Sequence, residues 1–121
     1  MPRTPGRRPQ LARAARRDLD AIAEWTIENF GSTAERRYSA LIRRALRDIE
    51  ANPDRLGSKQ LPEGLRTYHI ELSKARVIGS RVRDPRHIVL YRRCDDGIVE
   101  VLRILHDSRD IERHLPDESN Q

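Results

Sequence analysis

Residues Pro85 to Asp110 read PRHIVLYRRCDDGIVEVLRILHDSRD, and this stretch decides the fold. Two apolar runs, Ile88–Tyr91 and Ile98–Leu105, flank a polar turn that ends in Asp95-Asp96-Gly97. Runs rich in Ile, Val and Leu on either side of a glycine-containing turn define a β-hairpin. Gly97 supplies the positive φ that a short hairpin loop requires. In the second run Val99, Val101 and Leu105 fall on one face, and Ile98, Leu102 and Ile104 on the other. A strand apolar on both faces is covered on both, so this one belongs to the centre of its sheet. It delivers His106 and Asp107 to its end, where a polar turn opens a short helix near Ser108–Leu115.

Upstream of the hairpin, Leu65–Leu72 alternates, with Tyr68, Ile70 and Leu72 facing one way and Thr67, His69 and Glu71 the other. That period predicts a strand with one solvated face. Residues 53–64, PDRLGSKQLPEG, are loop by composition, and residues 73–84, SKARVIGSRVRD, fit either a longer hairpin arm or an excursion loop. Further upstream the period becomes helical. Leu19, Ile22, Ala23, Thr26 and Phe30 make one face of a helix over residues 15–30, with Trp25 and Ile27 off its centre. Gly31 suits the helix end in the left-handed conformation. Ser32-Thr33-Ala34-Glu35 reads as a capping box opening a second helix. That helix runs to about Ala51, with Tyr38, Leu41, Ile42, Ala45 and Ile49 on one face and Asn52-Pro53 ending it. A connection this short packs the two helices as an antiparallel pair. Their opposite faces carry Arg36, Arg37, Arg43, Arg44 and Arg47 among acids, a pattern of a solvated side. Residues 1–9, with three prolines and three arginines, read as a basic arm. Residues 116–121 read as a polar tail.

At 121 residues the chain makes one domain, here residues 10–115. Only 36% of residues are hydrophobic and 36% are charged, so the core is lean and a partner has surface left to cover. The net charge of +5 is unevenly placed: residues 1–17 hold six arginines and no acid, whereas Cys94 onward holds eight acids against three arginines. Arginine suits bidentate contact with phosphate or carboxylate, which fits an acidic partner as well as a merely solvated surface. One cysteine, Cys94, excludes an internal disulfide framework and fits a reducing compartment. The basic N-terminus lacks the apolar segment of a signal peptide, and no run reaches transmembrane length, so a cytoplasmic protein is expected. No phosphate-cradling loop or metal-ligand spacing occurs, and His69, His87 and His114 find no ligand partner in the sequence. No cofactor or metal is expected.

The strings Arg86-His87-Ile88-Val89-Leu90-Tyr91-Arg92 and Arg103-Ile104-Leu105-His106-Asp107-Ser108-Arg109-Asp110 resemble the C-terminal half of the ParE toxins. These belong to the ParE/RelE superfamily of type II toxin–antitoxin systems. Asp18-Leu19 with Ile22, and Gly64-Leu65-Arg66, are further landmarks, and the likeness extends over residues 10–115. Residues 73–84 depart from it, being longer than the tight turn of the common pattern. The resemblance implies an α+β fold of order βααβββ plus a short C-terminal helix. In that fold a helical hairpin packs on a small, mainly antiparallel sheet. It also implies a first strand at Gln10–Ala14, which propensity alone does not reveal.

The implied function is a ParE-like toxin that poisons DNA gyrase without catalysis and is neutralised by a cognate antitoxin of ribbon-helix-helix type. The alternative is a RelE-like endonuclease of ribosome-bound mRNA. Cutting RNA through its 2′-hydroxyl needs a general base, a general acid and cations at the phosphate. His106 as acid or base, Arg86 and Arg66 as clamps, and Tyr91 or Glu71 in support are the candidates. For target binding they are Arg66, Arg86, Arg103 and His106; for antitoxin binding, Trp25 and Ile27. Structural roles fit the same residues: His106 bonded to backbone or to Asp110, Arg66 and Arg86 paired with Glu71 and Glu100, Tyr91 in packing. A plain nucleic-acid-binding domain is disfavoured by the lack of an aromatic RNA-binding motif or a helix-turn-helix pattern. Sequence-specific DNA binding without the antitoxin is not expected.

Overall fold

The computed structural model describes residues 9–77, 79 and 81–108. Residues 1–8, most of the C-terminal helix expected near Ser108–Leu115, and the tail at 116–121 lie outside the described residues. The helical hairpin forms as the periodicity requires. Helix α1 spans Arg13–Phe30 and α2 spans Ser32–Ala51. Gly31 alone joins them, at φ 90° and ψ 170°. The φ is positive as expected, but the residue is extended rather than left-handed helical, a region open essentially to glycine. Its N–H donates to the Ile27 carbonyl and its carbonyl accepts from Glu35 N–H, so one residue closes α1 and opens α2. The expected capping box therefore does not form. Ser32 already lies inside the first turn of α2, and the Glu35 carboxylate instead accepts from the Ser39 hydroxyl.

The five strands are β1 (Gln10–Leu11), β2 (Lys59–Gln60), β3 (Leu65–His69), β4 (His87–Arg93) and β5 (Val99–His106). They make one sheet in the order β1-β5-β4-β3-β2, with β1 parallel to β5 and every other pair antiparallel. The turn between β4 and β5 is closed by Cys94 N–H to the Ile98 carbonyl, with Gly97 at φ 84°. β5 is interior, as its two apolar faces require, between β1 and β4.

Several details depart from the sequence reading. β1 stops at Leu11 rather than Ala14, because the alanine- and arginine-rich residues that follow favour helix. β2, polar and two residues long, lies within the stretch read as loop and is held by backbone pairing to Arg66 and Thr67. β3 ends at His69, not Leu72. The His69 Nδ1 accepts the Glu71 N–H and opens a 3-10 segment over Ile70–Arg76, which leaves Leu72 exposed. In β5, Tyr91 faces Val101 while Leu90 faces Arg103, so Leu102 is an extra, bulged residue. The bulge resets the alternation: Val99, Val101 and Ile104 enter the core facing the helices, and Leu105 does not. Phe30 is exposed rather than part of the core stripe of α1.

The core lies between the helix pair and the sheet. Leu41, Ile42, Ala45 and Ile49 of α2 meet Tyr68, Val89, Tyr91, Val101 and Ile104. Each such aliphatic side chain, fully buried, contributes about 1.5–3 kcal/mol. Asp48 is buried among them on α2. It accepts a hydrogen bond from Ser73 at 2.6 Å and lies 3.1 Å from both Arg44 Nε and Arg76 Nε, tying α2 to the 3-10 segment.

Candidate functional site

Three strand ends converge at one end of the sheet: the C-terminus of β3, the N-terminus of β4 and the C-terminus of β5. Antiparallel pairing puts His69 next to β4 and sets His87 directly opposite His106. The three histidines, scattered in sequence, thereby join one polar cluster with Tyr38, Arg86 and Asp107. The Tyr38 hydroxyl accepts from Arg86 N–H at 3.0 Å and is hydrogen-bonded to His87 Nδ1 at 2.6 Å. The His87 ring meets Tyr38 and His106 edge-on, with centroids 5.5 and 5.4 Å apart. Asp107 is the hub of the other half. Its Oδ1 accepts from Arg86 at 2.9–3.0 Å and its Oδ2 from His69 Nε2 at 3.1 Å. Because Glu71 N–H donates to His69 Nδ1, the proton of neutral His69 sits on Nε2, facing Asp107.

The electrostatics follow from these contacts. Burial, reinforced by the neighbouring charge of His106, lowers the His87 pKa to about 4, so this ring is neutral at ordinary pH. Burial likewise raises the Tyr38 hydroxyl above its ordinary value. Burial alone would raise Asp107, but the hydrogen bond from His69 and the charge of Arg86 outweigh it and hold the carboxyl below its usual range. His106 is the outward member: its Nδ1 contacts the Ser108 hydroxyl at 2.8 Å and accepts Ser108 N–H at 3.2 Å, and its side chain is 42% exposed. Arg86, 47% exposed, is flanked by Asp107 and by Asp84 at 3.7 Å.

The residues singled out from sequence divide into three places. Arg86 and His106 are at this cluster. Arg66 and Tyr91 are cross-strand partners toward the opposite end of β3 and β4, four residues from His87, or about 13 Å. There Arg66 Nε pairs with Asp54 at 3.1 Å, and the buried Tyr91 hydroxyl donates to the Pro53 carbonyl at 2.6 Å. Arg103 is on neither: its Nε and Nη2 donate to Asp18 at 2.8 and 2.9 Å, a contact that raises its pKa further. The same carboxylate accepts Ile104 N–H at 2.8 Å, serving the β5 backbone beyond the reach of the short β1. The cross-sheet pairings read from sequence are replaced. Arg66 takes Asp54, Arg86 takes Asp107, and Glu100 is held by Arg92. Glu71 is exposed and touches the cluster only through its backbone. The alternative partner of His106, Asp110, lies outside the described residues.

Trp25 and Ile27, off the core stripe of α1, are 57% and 47% exposed, and Trp25 packs edge-on against exposed Phe30 at 5.6 Å. Sequence reading missed Tyr38, His69 and His87 as a group, since only register brings them together. Asp18 was visible as a landmark, though not as the partner of Arg103. Among the described residues no set of three or more His, Cys, Asp or Glu side chains is arranged to hold a metal, and no helix is long and apolar enough to cross a membrane.

The helical hairpin packed on a mainly antiparallel five-stranded sheet makes this a small α+β protein. The family model described as "ParE toxin of type II toxin-antitoxin system, parDE" matches residues 10–111, and the chain belongs to that family. Among solved structures it is similar to a chain of the "Chromosomal ParDE TA system from P. aeruginosa", with a TM-score of 0.60 and 17% identity. That match covers 82% of this chain and 94% of the other. No curated protein matches the sequence.

Proposed function

We propose that this ParE-family protein acts in the cytoplasm by binding DNA gyrase rather than by catalysis, and that a cognate ribbon-helix-helix antitoxin neutralises it. The carrying observation is the division of the nuclease candidates. Arg66 and Tyr91 sit toward one end of the strands, Arg86 and His106 at the other, and both arginines are paired with carboxylates. A ribonuclease centre needs its acid, base and cations within hydrogen-bond reach of one phosphodiester. The exposed side chains Arg86 and His106 instead offer a polar docking end for a protein target, and Trp25 with Ile27 offers an apolar anchor for the antitoxin.

The adjacency of Arg86 and His106 favours the one alternative, a RelE-like endonuclease using those two residues. Purified toxin is expected to inhibit gyrase supercoiling and to leave translated mRNA uncut. Codon-specific cuts that disappear in His106→Ala or Arg86→Ala, with supercoiling unaffected, would reverse the assignment. Loss of a general acid or base costs about 10²–10⁴-fold, so the two outcomes are well separated.

A further inference from the structure

The outer face of α2 has a charge distribution that neither the gyrase nor the antitoxin reading uses. At about 100° per residue, Arg36, Arg43 and Arg47 fall within about 40° of one another around the helix axis, with Arg37 about 100° to one side and Glu35 about 100° to the other. All four are exposed. The stripe is about 16 Å long at about 1.5 Å per residue. From Thr33 to Arg47 no acid shares this sector, and Glu50, one turn beyond, is only 9% exposed. By contrast, four arginines of the sheet, Arg66, Arg92, Arg93 and Arg103, are each held by a carboxylate. Among the described residues Arg37, Arg43 and Arg47 have no carboxylate within ion-pair distance, and Arg36 contacts only the Thr33 hydroxyl. Arg43 and Arg47, four residues apart, repel one another, so the helix gains nothing from this spacing.

We propose that this stripe is a docking face for the phosphate backbone of double-stranded DNA, bound without sequence preference. Guanidinium groups pair bidentately with phosphate, and unneutralised arginines in a row release counterions on contact. The exposed large hydrophobics of the helix pair, Trp25, Ile27 and Phe30, all lie on α1, so the stripe lacks the apolar anchor an acidic peptide would use. It also lacks aromatic side chains for stacking the bases of a single strand. The contact is independent of whether gyrase is the target.

The test is fluorescence anisotropy of the purified full-length toxin with a short labelled duplex of random sequence, across a salt series. The Arg36→Ala/Arg43→Ala/Arg47→Ala variant is expected to lower the slope of log K against log[salt] by about 2.7, or about 0.9 per lost phosphate contact. Each single substitution is expected to lower it by about 0.9, which keeps the test open if the triple variant folds poorly. Arg66→Ala/Arg92→Ala/Arg93→Ala removes the same net charge and is expected to leave the slope unchanged. An unchanged slope in the stripe variants, or equal losses in both sets, overturns the proposal. So does oligo(dT) or polyglutamate binding through the same arginines more tightly than the duplex.

Discussion

Asp18→Ala removes a carboxylate that accepts three hydrogen bonds joining α1 to β5. Two come from the Arg103 guanidinium at 2.8 and 2.9 Å and one from Ile104 N–H at 2.8 Å. A part-buried N–H left without an acceptor costs about 1–3 kcal/mol, and loss of hydrogen bonds to a charged group about 1.5–3 kcal/mol. Arg103 is 30% exposed and can partly rehydrate, so the two losses overlap. The substitution is expected to cost about 2–3 kcal/mol. At about 4 °C per kcal/mol for a domain of this size, Tm falls by about 8–12 °C. Asp18→Asn keeps an acceptor for Ile104 N–H but loses the charge, and should fall between the two. Urea unfolding of Asp18→Ala, Arg103→Ala and the double variant gives the coupling between the two side chains, expected at about 1–2 kcal/mol. The Ile104 amide should also lose hydrogen-exchange protection in Asp18→Ala. A cost below about 0.5 kcal/mol, the range of ordinary surface substitutions, together with additive single variants, would refute the reasoning.

His87 has a folded-state pKa of about 4, below its ordinary 6.5, so its stabilising contribution is full above pH ~6.5 and is lost as pH falls toward 4. The drop is about 3 kcal/mol at most, and thermal melts of His87→Gln against the parent should show it removed. Asp48→Ala leaves Arg44, Arg76 and the Ser73 hydroxyl without their shared carboxylate; the two arginines are 34% and 50% exposed and rehydrate, so the cost in urea unfolding should be about 2–3 kcal/mol. A cost under about 1 kcal/mol would show that water replaces it. Trp25→Ala should weaken antitoxin binding by about 2 kcal/mol or more in calorimetry. In stopped-flow experiments added salt should slow association more than it speeds release; unchanged affinity with a salt-independent on-rate would remove Trp25 and charge pairing from the interface.

Local pattern carried much of this protein. The hairpin around Gly97, the α2 stripe from Tyr38 to Ile49 and the ending of α1 at Gly31 each follow from periodicity or from one residue's backbone freedom. All three appear where the sequence places them. The family likeness needed only short strings from β4 and β5. What the sequence could not hold is anything set by register or by competition among polar partners. A single bulged residue, Leu102, moved Ile104 into the core and Leu105 out of that cluster, and alternation cannot reveal an extra residue. The capping box at Ser32 lost to a backbone solution at Gly31, whose carbonyl takes the Glu35 N–H that the serine hydroxyl would have accepted. His69, His87 and His106 are 18 and 19 residues apart in sequence. They become neighbours only because three strand ends are hydrogen-bonded side by side. The same pairing moved Arg66 and Tyr91 away from Arg86 and His106. Distance across a sheet depends on strand register, which is a property of the folded chain.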